Sequence, residues 1–281
     1  RKNELELSPS SGCKISNYLS HYPAYNTYQV DTEDGDYKNF VLVEPQASHE
    51  EYESNYTSLK FGKLEGETTV IFSGAGQISG VILRLLQQIC KKCVVDVLYI
   101  KPRMPEMSTL QLVRHKICNQ VLQQYARSNM IKSIILVDNE KIETIVPGVD
   151  IDSYWQPINR LIGDTYHMIN VLQNTEALLK SNNQVPATAK IKTLSVVDFE
   201  EKKEEAFYDL EYPRAKNFYF ALSEDYMKDN KELLGQVRSF ATGQQTEHCD
   251  AAYAIYKTDY EQNYVYGIHH ATHVQEQNID L

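Results

Sequence analysis

The chain has 281 residues, 42% hydrophobic and 23% charged, with a formal net charge of -10. A chain of this size and make-up buries a sizeable core as one large domain or two coupled ones. The acidic balance argues against a nucleic-acid backbone or an anionic membrane as the main partner. No apolar run reaches the roughly 18 residues of a membrane-spanning helix.

Periodicity predicts strands over Glu4–Leu7, Thr27–Asp31, Phe40–Val43, Thr68–Phe72, Val94–Ile100 and Ser133–Val137, alternating with helices over Lys14–His21, His49–Leu59, Gln77–Ile89 and Ser108–Arg127. Val94–Ile100 is nearly all apolar, as in a strand buried on both faces. The alternation points to a doubly wound parallel sheet. A long helix is expected from Gln156 to Lys180, with Pro157 in its first turn and Asn182, Asn183 and Gln184 ending it. Beyond it, a strand at Ile191–Val196, a helix at Glu200–Leu210, a strand at Phe218–Leu222, a helix at Lys231–Ala241 and a hairpin of Ala252–Lys257 with Tyr264–His269 suggest a smaller α+β domain with a mixed sheet. The expected division is 1–155 as the doubly wound domain, 156–182 as a central helix and 183–281 as the α+β domain.

The five cysteines, Cys13, Cys90, Cys93, Cys118 and Cys249, form no disulfide framework and suggest reduced thiols. The opening Arg1-Lys2-Asn3-Glu4 lacks the apolar run of a signal peptide. A cytoplasmic location is expected on both grounds. The segment Gln275 to Leu281 is too short for a long partner-binding tail.

The segment Ser73-Gly74-Ala75-Gly76-Gln77-Ile78-Ser79-Gly80 joins an apolar strand to an apolar helix. The first amides of a helix have no intrahelical partner and its dipole favours negative charge, so a small-residue turn there is a ready anion site. Its bland reading is an ordinary tight turn. Further loop residues follow in order: Glu106 after Lys101-Pro102, Asn139 in Val137-Asp138-Asn139-Glu140-Lys141, Trp155 and Asn159 four residues apart on one helical face, and Asp198 and Glu201 in Val197-Asp198-Phe199-Glu200-Glu201.

This set, in this order, resembles the tubulin/FtsZ superfamily, over almost the whole chain. The family's A-G-M-G-G-G-T-G turn becomes S-G-A-G-Q-I-S-G, so Gly74, Gly76 and Gly80 match and Ser79 replaces the threonine. T-K-P-F-N-F-E becomes I-K-P-R-M-P-E and puts Glu106 on the ribose-binding glutamate. I-P-N-D-K becomes V-D-N-E-K and puts Asn139 on a guanine contact. The aromatic-x-x-x-Asn of the central helix becomes Trp155, to stack on guanine, and Asn159, to hydrogen-bond to it. N-x-D-F-A-D becomes V-V-D-F-E-E, putting Asp198 and Glu201 on two carboxylates that orient a water against the next subunit's nucleotide. The resemblance implies GTP/GDP and Mg²⁺ as cofactors, a head-to-tail polymer of the chain with itself, and relatives on plasmids and phages that position DNA or virus particles. It implies no direct nucleic-acid contact and no membrane insertion, and leaves an adaptor or cargo unidentified.

The chain also departs from the family. Gln77 and Ile78 replace two central glycines of the phosphate turn. The first loop, Ser8-Pro9-Ser10-Ser11-Gly12-Cys13-Lys14, offers Gly12 where several glycines are usual, and contains no Gly-Lys-Ser/Thr. The third phosphate loop is not found. Val196 replaces the asparagine before the paired carboxylates, and Leu110 an arginine one turn after Glu106. The leading expectation is a divergent GTPase that forms filaments. The alternative is a structural scaffold that keeps the fold but has lost nucleotide binding or hydrolysis. An unrelated Rossmann-like enzyme would need a G-x-G-x-x-G turn near the first strand, which residues 8–14 do not supply.

Two further clusters have bland readings. Cys90-Lys91-Lys92-Cys93 lacks the second pair of a zinc site and reads as helix-end thiols. His269 and His273 would share a strand face from which His270 points away, a poor arrangement for one metal. Asp198 and Glu201 themselves fit the acidic first turn of an ordinary helix.

Overall fold

The computed structural model describes residues 2–7, 12–32, 39–62, 64–76, 78–146, 148, 154–182 and 185–275. Gln77, most of the first loop (8–11), Asn183, Gln184 and the tail from 276 to 281 lie outside the described residues. The chain divides into two compact units, Arg1–Gly163 with Gln275–Leu281, and Asp164–Val274.

The first unit is a parallel sheet of β1 (Lys2–Leu7), β2 (Tyr25–Asp31), β3 (Phe40–Leu42), β4 (Gly66–Ser73), β5 (Cys93–Lys101) and β6 (Ser133–Asp138), in the order β3-β2-β1-β4-β5-β6. Val70, Ile71 and Phe72 of β4, Val97, Leu98 and Ile100 of β5, and Ile134 and Val137 of β6 are all buried, as strands covered on both faces require. Its helices are α1 (Gly12–Leu19), α2 (His49–Ser54), α3 (Ser79–Ile89), α4 (Thr109–Arg127) and α5 (Asn139–Ile145). Trp155–Gln173 forms α6. In α3 the stripe Val81, Ile82, Leu85, Leu86 and Ile89 is buried. A reciprocal capping box of Ser108 and Gln111 starts α4.

Two features of this unit differ from the sequence expectation. The helix expected over His49–Leu59 stops at Ser54, because Gln88 of α3 takes the next segment. Its Nε2 donates to the Leu59 carbonyl at 2.7 Å and its Oε1 accepts from the Leu59 amide at 3.0 Å. The Asn139 segment, read as a turn, is helical as α5, since Asp138 caps it by accepting from the Glu140 amide at 3.0 Å.

The second unit is a mixed sheet of β7 (Leu179–Lys180), β8 (Ile191–Asp198), β9 (Lys203–Ala206), β10 (Pro213–Ser223), β11 (Asp250–Thr258) and β12 (Tyr264–Ala271). Its order is β8-β12-β10-β11-β7 with β9 on the other side of β8. Only β10 and β11 run parallel; the other described pairs are antiparallel. Phe218, Phe220 and Leu222 of β10 pack against Val237 and Phe240 of α8 (Leu233–Gly243), and α7 (Glu224–Asp229) precedes α8.

Three expectations are corrected here. The long helix ends at Gln173 rather than Lys180. Asn174 and Thr175 turn their side chains onto the Asn170 and Val171 carbonyls, at 2.8 and 2.7 Å, and close it. Leu179–Lys180 then pairs with β11 as an edge strand. The helix expected over Glu200–Leu210 is absent. Asp198 accepts from the Glu201 amide at 3.0 Å, Lys202 adopts φ 55°, and the chain reverses into β9. Finally, Ala252–Lys257 and Tyr264–His269 do not form a hairpin, because β10 lies between them and pairs with both.

Gln275 returns to the first unit. Its amide donates to Gln123 Oε1 of α4 at 2.7 Å, and Gln123 Nε2 donates to its carbonyl at 3.2 Å, with both residues buried.

Candidate functional site

In an open parallel sheet, ligands sit outside the carboxyl ends of the strands where the winding direction reverses. In the first unit that point lies between β1 and β4, since the chain passes from β1 to β2 on one side and from β4 to β5 and β6 on the other. The turn from Gly74 to Ile78 leaves β4 at this edge, Gly12 opens the helix that follows β1, and the loops with Glu106 and Asn139 leave β5 and β6. Four of the predicted segments therefore leave one end of one sheet, and the start of α6, with Trp155 and Asn159, belongs to the same unit.

The phosphate turn is built from inside. A Cβ on Gly74 would stand 2.0 Å from the Tyr99 hydroxyl, and that hydroxyl lies 2.6 Å from His115 Nδ1 of α4. A Cβ on Gly80 would stand 2.2 Å from the His49 carbonyl, so Gly80 lets α2 and α3 meet. Ser79 Oγ donates to the carbonyls of Gly76 and Gly74, at 2.6 and 3.2 Å, and is buried. Ile78, expected to resist a positive φ and crowd a phosphate, has φ -59° and a buried side chain, so it anchors the turn to the core. Gly74 and Gly80 thus have structural reasons of their own.

Beyond β5 and β6, Lys101 Nζ bridges to Asp138 at 2.7 Å between adjacent strand ends, and Asn139 starts α5 buried. Glu106 ends a 3-10 turn, exposed, with its carboxylate 3.0 Å from Arg103 Nη1. Met104 is held by Glu140, whose Oε1 accepts its amide proton at 2.9 Å. Leu110, where the resemblance places an arginine, is 55% exposed.

Trp155 and Asn159 lie one turn apart at the start of α6. Trp155 stands edge-on to Tyr154 at 5.0 Å between ring centroids. A Cβ on Gly163 would lie 3.0 Å from Tyr18 Cδ1, so this part of α6 packs on α1. Asn159 is buried, and its Nδ2 has no hydrogen-bond partner. An unsatisfied buried amide costs stability and needs an explanation; a ligand edge with an acceptor supplies one.

Asp198 and Glu201 belong to the second unit. Both are exposed, on the turn between β8 and β9 rather than in a helix's first turn.

The remaining clusters do not converge on a metal, and no group of three potential metal-binding side chains exists among the described residues. Burial, with Cys93 nearby, pushes the Cys90 thiol up to about 11, and the Cys93 thiol faces the Leu64 carbonyl. His269 bonds to Glu204, His270 faces Asn217 and is driven to about 3 by burial beside Lys192, and His273 meets the Tyr212 ring. Sequence reasoning missed the Lys101–Asp138 pair, although each residue follows its strand directly.

No protein-family model matches the chain, and no curated protein sequence matches it. Solved structures do. FtsZ of M. jannaschii, in an empty dimer, superposes with a TM-score of 0.65 at 12% identity, covering 100% of this chain and 93% of that one. CetZ2 from Haloferax volcanii, in a GTPγS-bound protofilament, gives 0.67 at 14% identity, covering 96% and 92%. TubZ of Bacillus thuringiensis serovar israelensis, in a GTPγS-form protofilament, gives 0.67 at 10% identity, covering 96% and 86%. The chain has the tubulin/FtsZ fold, as a divergent example. No helix among the described residues is long and apolar enough to cross a membrane.

Proposed function

We propose that the chain binds a guanine nucleotide at the carboxyl edge of the first unit's sheet and assembles head to tail into filaments. The observation that carries this reading is the buried, unpartnered Nδ2 of Asn159 one turn from Trp155. A guanine edge offers an acceptor to that amide, and an indole gives the base a stacking face. Asn139 adds a second contact to the base, Glu106 would exchange Arg103 for ribose hydroxyls, and the amides at the start of α3 with Gly76 and Gly12 would receive phosphates. Mg²⁺, when bound with the nucleotide, would supply neutralisation of phosphate charge. The relatives crystallised as nucleotide-bound protofilaments support this reading.

Hydrolysis is the further step of the proposal. Asp198 and Glu201 are exposed on the turn between β8 and β9, and in a head-to-tail polymer they would face a neighbouring subunit's nucleotide. Asp198 Oδ1 already accepts the Glu201 amide. That leaves Glu201 as the freer base to orient water. The same hydrogen bond favours the second reading, a scaffold that binds nucleotide or none and does not hydrolyse it, with Asp198 as a turn-former.

The experiment is paired. Binding of a fluorescent guanine nucleotide with Mg²⁺ is measured on wild type and Asn159→Ala, and sedimentation is compared with GTP, GTPγS and GDP. Loss of binding in the variant and nucleotide-dependent sedimentation are expected. GTP turnover lost in Glu201→Ala separates the GTPase from the scaffold; a folded wild type that binds no guanine nucleotide refutes the nucleotide reading.

A further inference from the structure

Arg103 is shared unequally between two carboxylates. Its Nη1 lies 3.0 Å from Glu106 Oε1, and both side chains are exposed, 42% and 61%. Its Nε lies 3.8 Å from Glu143 Oε2 of α5, beyond hydrogen-bond reach, although the Glu143 side chain is only 18% exposed. Glu143 Oε1 is buried and has no hydrogen-bond partner. The closer contact is therefore made to the more exposed acid. An exposed ion pair contributes little, whereas an enclosed carboxylate oxygen without a donor is unfavourable.

Arg103 can change partner by side-chain rotation alone. The Met104 amide, one residue on, donates to Glu140 Oε1 at 2.9 Å, and Glu140 and Glu143 lie one turn apart on α5. α5 thus holds the loop at Met104 and offers Glu143 to the guanidinium. The Tyr154 phenol faces the same carboxylate; burial, then Glu143, push it up to about 12. Tyr154 in turn meets Trp155 edge-on.

We propose that Arg103 is a positioning residue that passes from Glu106 to Glu143 when Glu106 takes the ribose hydroxyls of the nucleotide. This rests on the reading of Glu106 as the ribose contact. After the exchange each carboxylate has donors, Glu106 the hydroxyls and Glu143 the guanidinium. The exposed pair that is lost is offset by a more enclosed one. Recognition of the sugar is thereby tied to α5 and, through Glu143 and Tyr154, to the residue beside Trp155.

The test has a ligand-free arm and a binding arm. In the first, Glu106→Ala frees Arg103 without nucleotide, and the Arg103 Nε–H signal, assigned by its loss in Arg103→Met, is followed by NMR. It should exchange with solvent more slowly in Glu106→Ala than in wild type, and adding Glu143→Gln should abolish that protection. Unchanged exchange in Glu106→Ala overturns the proposal. In the second, GDP and 2′,3′-dideoxy-GDP are titrated with Mg²⁺ into wild type, Glu143→Gln, and Glu143→Gln combined with Arg103→Met. Glu143→Gln should weaken GDP by about ten-fold, the size of a hydrogen bond to a charged group, and leave the dideoxy analogue nearly unchanged. Adding Arg103→Met should then strengthen GDP binding, because nothing competes for Glu106. Equal losses for both nucleotides, or a double variant that binds GDP more weakly than Glu143→Gln, would show a purely structural pair and overturn the exchange. A folded wild type that binds neither nucleotide refutes the site reading itself, a result distinct from GDP binding that Glu143→Gln does not weaken, which refutes the exchange alone.

Discussion

Replacing Asn159 by Leu tests whether the site's polar group is kept for a ligand. The side chain is 4% exposed and its Nδ2 has no partner, and leucine keeps the branched outline without the donor. Leaving such a donor unsatisfied costs about 1–3 kcal/mol. Removing it should therefore stabilise the ligand-free protein by about 1–2 kcal/mol, since some strain is returned by the larger methyls. At about 2–4 °C per kcal/mol for a chain of this class, the melting temperature should rise by about 2–8 °C. Guanine-nucleotide binding should weaken by about ten-fold or more, equal to 1.4 kcal/mol. Thermal denaturation followed by circular dichroism and titration with a fluorescent nucleotide read the two effects on the same sample. A fall in melting temperature with unchanged nucleotide affinity would refute the reasoning, because the amide would then be serving the fold.

Gly74→Ala should destabilise by about 1–3 kcal/mol, because its Cβ would meet the Tyr99 hydroxyl at 2.0 Å; Tyr99→Phe should recover part of the loss in chemical denaturation. Gln123→Leu removes both bonds to the Gln275 backbone and leaves buried groups unpaired, so a loss of about 2–4 kcal/mol in urea unfolding is expected. Burial raises the Glu204 pKa, but the hydrogen bond and charge of His269, then Lys216 and Ser195, outweigh it and hold it at about 2 against an ordinary 4.5. Its folded pKa is depressed, so the stability it adds is present above pH 4.5 and lost as pH falls toward 2. Melting temperature followed down this range should fall less steeply in Glu204→Gln than in wild type.

The first unit was legible because its strands are near-continuous apolar runs and its turns carry small residues; β4, β5 and β6 fall within two residues of expectation. The second unit was less so. Residues 200–210 have a helix-like composition, yet a left-handed Lys202 and the inward Glu204 make a strand of part of them. Pairing of β10 with both β11 and β12 is a long-range choice that adjacent strands in sequence do not reveal. At the site, Trp155 and Asn159 were singled out by the resemblance, with their four-residue spacing on one helical face beside it. Gly74 and Gly80 looked like phosphate contacts, but the partners that require them, Tyr99 and His49, are remote in sequence.

The grip of Gln123 on Gln275 orders events during synthesis. The first unit leaves the ribosome with its sheet complete but with the amide of Gln123 still open, and only after residues 164–274 have been made does the closing strap arrive. A buried donor and acceptor held open in this way keep the early unit less stable than the finished one. Cutting the chain just before Gln275 should return the mature protein to that nascent condition, with a first unit never locked shut.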